Sequence, residues 1–158
     1  MKLNQDFSDL LTCISESGVE FVLVDAYAMA ARGIVRNTDG MDVLLRPTAE
    51  NETRLHQALM KFGFPSSLAR QFIVAEEDLV NTLGNPPRRI DMITGLTGVG
   101  FDEAKATSVL LEVESVGAVP VLSLEALETN KLAAGRTKDL ADVETIQMHL
   151  KERDGSDR

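Results

Sequence analysis

Glu20-Phe-Val-Leu-Val-Asp-Ala-Tyr-Ala-Met-Ala-Ala-Arg-Gly-Ile-Val-Arg-Asn-Thr-Asp-Gly-Met-Asp-Val-Leu-Leu-Arg46 sets two apolar runs around a turn-rich middle. Phe21 to Val24 is the short, β-branched-rich run that a buried strand needs. Asp25 stands where an N-cap stands, ahead of an alanine-rich turn and a half that ends at Gly33. Thr38, Asp39 and Gly40 predict a turn. Met41 to Leu45 predicts a second buried strand, with Asp42 near its start. A helix N-terminus facing a carboxylate at a strand start suits phosphates and a divalent metal.

Working outward, residues 4 to 17 carry Phe7, Leu10, Leu11 and Ile14 at helical spacing. Thr48 predicts an N-cap for a helix that Gly63 stops, with Glu50 and Glu52 favourable to its dipole. His56 on that helix reads as a solvated surface side chain. The signal weakens from Pro65 to Asn85, with a helical turn at Ser66 to Phe72 and an ambiguous run from Glu76 to Leu83. Arg88 to Thr94 is the third clear strand, with Asp91 inside it. A short helix from Phe101 and two strands around Ser115 to Gly117 follow, Pro120 suggesting a sheet edge. Ser123 caps a helix that Gly135 ends, and Thr137 is expected to cap the last helix, with Leu140, Val143, Ile146 and Leu150 as its buried face. The expectation is one compact α/β domain over residues 1–152, a mixed β-sheet flanked by helices, with a frayed charged tail at 153–158.

The 158 residues are 44% hydrophobic and 26% charged, ordinary for a globular protein. A formal charge of -9 argues against general nucleic-acid binding, which needs clustered Lys and Arg. Cys13 is the only cysteine, which excludes an intrachain disulfide and a thiolate metal cluster. No apolar run approaches membrane-spanning length and no leader pattern opens the chain, so a cytoplasmic location is expected.

Chemistry concentrates in three places. Asp42 and Asp91 are carboxylates within apolar strands, costly unless paired, hydrogen-bonded or metal-bound. Side by side they need a cation, and Mg²⁺ shared with substrate phosphates is the usual solution. Alternatively, each sits at a strand end, exposed or bonded to a neighbouring backbone N–H. Lys131, Arg136 and Lys138 flank a helix end and the next helix start, where cations suit polyphosphate. They equally suit a helix C-terminus, and Lys138 with Asp142 is an i,i+4 pair.

Arg36-Asn-Thr38 before the aspartate strand, Arg89-Ile-Asp91, Val119-Pro-Val-Leu-Ser-Leu-Glu-Ala-Leu127 and Lys131-Leu-Ala-Ala-Gly-Arg-Thr-Lys-Asp-Leu-Ala-Asp142 together carry a resemblance. From about Val19 to Val143 the chain resembles the nucleotidyltransferase-fold superfamily (the DNA polymerase β-like fold), nearest to small prokaryotic proteins that include the AbiEii-type toxins. The resemblance implies that Arg36 and Thr38 precede the metal pair, that Asp42 is its second aspartate and that Asp91 is the third carboxylate. It also implies contacts of Lys131, Arg136 and Lys138 with phosphates.

The chain departs from that pattern at two points. Asp25-Ala26 replaces the expected glycine pair, and Gly40 replaces the first metal aspartate. Asp39 substitutes for the lost ligand only if the chain bends at Gly40, because side chains two apart share a strand face and those three apart do not. Two functions follow from the resemblance. One is Mg²⁺-dependent transfer of a nucleoside monophosphate from an NTP to a hydroxyl, with impaired or lost activity. The other is an inactive relative that binds nucleotide or a protein partner, for example in a toxin–antitoxin system. Reverting Asp25 to Gly and Gly40 to Asp together is expected to restore metal affinity.

Overall fold

The computed structural model describes residues 1–35 and 40–156. Six strands form one sheet in the order β3-β4-β2-β1-β6-β5. They are β1 (Phe21–Val24), β2 (Gly40–Leu45), β3 (Val80–Leu83), β4 (Arg89–Ile93), β5 (Val109–Val113) and β6 (Gly117–Val121). The sheet is mixed: β2 runs antiparallel to β1 but parallel to β4, and β1 runs parallel to β6.

Seven helices are described: α1 (Gln5–Glu16), α2 (Ala26–Ala30), α3 (Ala49–Phe62), α4 (Ser66–Ala69), α5 (Phe101–Ala106), α6 (Leu124–Ala134) and α7 (Thr137–Ser156). Phe7, Leu10, Leu11 and Ile14 of α1 and Leu55 and Leu59 of α3 bury one face of the sheet, against Leu23, Met41, Val43 and Leu45. Ala28 and Met29 of α2, Leu127 of α6 and Ile146 of α7 bury the other, against Val22, Val24 and Leu44. Both faces of β1 are therefore covered, which explains its unbroken apolar run. Strand alternation puts Asp42 on the α6–α7 face together with Leu44, opposite to Met41 and Val43.

The Thr48 and Ser123 caps form where the sequence places them, whereas α7 already includes Thr137 as its first residue. Thr48 Oγ1 accepts from Asn51 N at 3.1 Å, Ser123 Oγ accepts from Ala126 N at 3.1 Å, and Gly63 closes α3 at φ 119°. Asn51, fully buried, then ties α3 to the sheet. Its side chain accepts from Glu20 N and donates to the carbonyls of Glu20 and Arg46.

Several expectations change. Gly40 is the first residue of β2 and not part of a turn. Pro120 lies in β6, an inner strand, while β5 forms the edge. This is tolerated because β1 meets β6 only at Val121 and Leu122, leaving Pro120 beyond that ladder. Leu140 is exposed, and Val143 and Ile146 carry the buried face of α7. His56 is half-buried, its Nε2 2.7 Å from the carbonyl of Phe72. It fastens α3 to the segment after α4, as does Glu52, whose carboxylate accepts from Val74 N and Ala75 N. Among the described residues no helix is long and apolar enough to cross a membrane.

Candidate active site

Asp42 and Asp91 are register partners on the parallel strands β2 and β4, so their side chains leave the same face of the sheet. Val24, the last residue of β1, is the register partner of Asp42 on its other side, which brings Asp25 to the same edge. Asp91 is held by two neighbours: Thr82 Oγ1 donates to its Oδ1 at 2.8 Å, and Arg89 Nε lies 3.3 Å from its Oδ2. Asp42 is the strained member. Burial, then the charges of Asp25 and Asp91, push its carboxyl up to about 6, with Arg89 and Lys131 pulling the other way.

Asp25 occupies the N-cap position of α2, yet its side chain makes no capping hydrogen bond. The carboxylate turns to Lys131, with Oδ1 2.8 Å from Nζ. Lys131 lies in the last turn of α6 and is buried. Its ammonium also meets Asp142 at 3.2 Å and Asp139 at 3.5 Å, both from α7. Burial opposes the lysine's charge, but the bonds to Asp25 and Asp142 outweigh it and hold its pKa above the ordinary value. Asp139 is wholly buried. The bonds from Arg136 to its carboxylate overcome the desolvation and keep it ionised below the ordinary carboxylate range. Arg136 reaches Asp139 through Nε at 2.7 Å, Nη2 at 3.3 Å and its backbone N at 3.2 Å.

The spacing from Lys131 to Asp139 and Asp142 thus folds into one ionic cluster at the α6–α7 corner, with Gly135 in the left-handed conformation making the turn. Lys138 is exposed on the first turn of α7. Arg36, Thr38 and Asp39 lie outside the described residues. Sequence reading missed that Asp25 and Lys131, 106 positions apart, are partners. The available signal was a lysine at helical spacing from Leu124 and Leu127 on the buried face of α6, where it needs an anion.

Gly40 raises a different constraint. A Cβ built there falls 1.8 Å from the backbone carbonyl oxygen of Arg89. The position expected to hold the first metal aspartate therefore takes no side chain unless β2 or β4 moves. Among the described residues, no group of three His, Cys, Asp or Glu side chains is placed to hold a metal ion. Two carboxylates still suit Mg²⁺, which commonly uses one or two protein carboxylates with water and substrate phosphates. The raised Asp42 carboxyl marks excess negative charge that a cation would relieve. A cleft of about 540 Å³ opens at the opposite end of β2, beside Arg46, Thr94, Phe101 and Asp102, and none of the described site residues lines it.

A solved structure from Thermotoga maritima, described as a candidate nucleotidyltransferase, is similar to this chain with a TM-score of 0.53. The chain has a nucleotidyltransferase-like fold. The likeness covers 92% of this chain and 91% of that one at 14% identity, which speaks for the fold alone. No family model and no curated protein matches the sequence. The mixed sheet flanked by helices is the architecture expected from the sequence, and β3 falls in the run from Glu76 to Leu83 that the sequence left ambiguous.

Proposed function

We propose that the chain is a nucleotidyltransferase-like protein that binds the polyphosphate of an NTP together with Mg²⁺ at Asp42 and Asp91. The observation that carries this reading is the in-register pairing of those two carboxylates on neighbouring parallel strands, in a fold of this type. Bound Mg²⁺ would neutralise phosphate charge and orient the chain of phosphates. Asp91, steadied by Thr82 and Arg89, is placed to accept the proton of an acceptor hydroxyl. The hydroxyl oxygen then bonds to the α-phosphorus as the bond to pyrophosphate breaks. Arg136 and Lys138 stand at the start of α7 as additional cations for phosphate, and Arg36, Thr38 and Asp39 complete the proposed set.

Calorimetric titration of each NTP with Mg²⁺ tests the binding step. Wild-type protein should bind, and Asp42→Asn and Asp91→Asn should each weaken binding by about tenfold or more. Flat titrations of the wild type at millimolar nucleotide would reject the reading. Label from the α-phosphate appearing in an acceptor hydroxyl would establish transfer.

A second reading has its own support. Gly40 lacks room for the first metal aspartate, and Lys131 is already surrounded by carboxylates. On this reading the chain is an inactive relative, similar to AbiEii-type proteins, that binds nucleotide or a protein partner, as in a toxin–antitoxin pair. Nucleotide binding without any transfer, across the candidate acceptors offered, is its expected signature.

A further inference from the structure

Asp25 combines three independent features. Its backbone sits at φ 55° and ψ -127°, a conformation that residues with a side chain rarely adopt. Such a geometry is strained and persists only where the surroundings impose it. Its carboxylate leaves the start of α2 and lies 2.8 Å from the Lys131 ammonium. It is also the outermost of the three carboxylates on that ammonium: side-chain exposure is 0% for Asp139, 14% for Asp142 and 37% for Asp25.

That order decides which partner can be exchanged. Asp139 and Asp142 both come from α7 and sit on the inner side, so the buried ammonium has anionic company whichever way Asp25 points. Asp25 holds the solvent side, which is where an incoming anion would arrive. Among the described residues, carboxylates also outnumber cations in this neighbourhood. Asp25, Asp42, Asp91, Asp139 and Asp142 crowd around Lys131, Arg89 and Arg136, and Asp25 repels Asp42.

We propose that Asp25 is a built-in competitor for phosphate: its carboxylate occupies the solvent side of Lys131, and a metal-complexed polyphosphate enters by displacing it. The inference rests on the phosphate-binding reading above. The exchange replaces one anion on Lys131 by another and removes a like charge from beside Asp42. A bare phosphate would add negative charge next to Asp42 and Asp91, so the displacement needs the divalent cation with it. Asp25 is here a gate on binding and takes no part in a bond-making step.

The test uses the full chain with inorganic tripolyphosphate and Mg²⁺ as probe, read by calorimetry. Asp25→Asn and Asp25→Gly should each bind about tenfold more tightly than wild type. Glu112→Gln, an exposed charge change on β5, should show no gain. In Asp25→Asn, the Lys131 ammonium resonance followed by nitrogen NMR should move as the probe is added. Equal affinity of wild type and Asp25→Asn overturns the gate and leaves the phosphate reading standing. Failure of every variant to bind overturns both. An equal gain in Glu112→Gln, or a Lys131 signal that stays still while the probe binds, also overturns the gate. Should Asp25→Gly fold poorly, Asp25→Asn, which keeps the shape and tolerates positive φ, carries the comparison.

Discussion

Asp42 and Asp91 stand opposite each other across the parallel β2–β4 ladder, and the Asp42 carboxyl is pushed up to about 6. The two carboxylates have different neighbours. Asp91 has a hydroxyl donor in Thr82 and a cation in Arg89, whereas Asp42 is desolvated and faces Asp25 and Asp91. The pair is therefore prepared to take up positive charge, as a proton or as a metal ion.

The raised acidity of Asp42 has a definite sign in stability. Its folded pKa, about 6, lies above the ordinary 3.8, so the folded state holds the extra proton between those values. The contribution is fully present below the ordinary value and is lost as pH rises through about 6, amounting to at most about 3 kcal/mol. Urea denaturation at several pH values should show Asp42→Asn gaining on the wild type between pH 4 and about 7. A constant difference across that range would contradict the assignment.

Under the proposed function, proton and cation would compete for the same carboxylates. Apparent Mg²⁺ affinity of the wild type, measured with nucleotide present, should rise as pH passes upward through about 6. In Asp42→Asn the rise should flatten.

Lys131 is predicted to be a stability determinant whatever its ligand. Lys131→Met leaves the wholly buried Asp139 paired with Arg136 and takes the ammonium away from Asp142 and Asp25. Breaking a buried ionic cluster by removing one partner costs about 3–5 kcal/mol. Thermal and urea denaturation of this variant should show a large loss of stability, and a loss within experimental scatter would mean that α7 does not depend on the cluster.

The Gly40 position should refuse even a methyl group. With a Cβ 1.8 Å from the Arg89 carbonyl oxygen, Gly40→Ala is expected to destabilise by more than about 2 kcal/mol. Gly40→Asp should do so as well, and should not restore metal affinity as the sequence pattern alone leads one to expect. A stable Gly40→Asp protein with tighter Mg²⁺ binding would show that β2 can shift to accept it.

Asn51 tests the other side of the sheet. Asn51→Ala removes three hydrogen bonds and takes the side-chain acceptor from Glu20 N, while the carbonyls of Glu20 and Arg46 keep the bonds from Arg46 N and Thr48 N. A loss of about 1–3 kcal/mol by urea denaturation is expected, with the Asp42–Asp91 pair at the far end of β2 little affected.

Local pattern was sufficient for the elements. The unbroken run Phe21 to Val24, the Thr48 and Ser123 caps and the Gly63 and Gly135 stops act within a few residues, so their sequence neighbourhood determined them. Strand phase alone also determined that Asp42 shares a face with Leu44. Tertiary structure decided which strand lies beside which, because pairing joins residues far apart and depends on how both faces of the sheet are buried. It set Asp42 against Asp91, enclosed Pro120 within the sheet and exposed Leu140. It also turned Asp25 away from the helix it precedes and towards Lys131, since a buried ammonium attracts a carboxylate more strongly than a five-residue helix end does. The opening stretch therefore specified its own strands and turns, and the packing of α6 and α7 over them decided what its aspartates face.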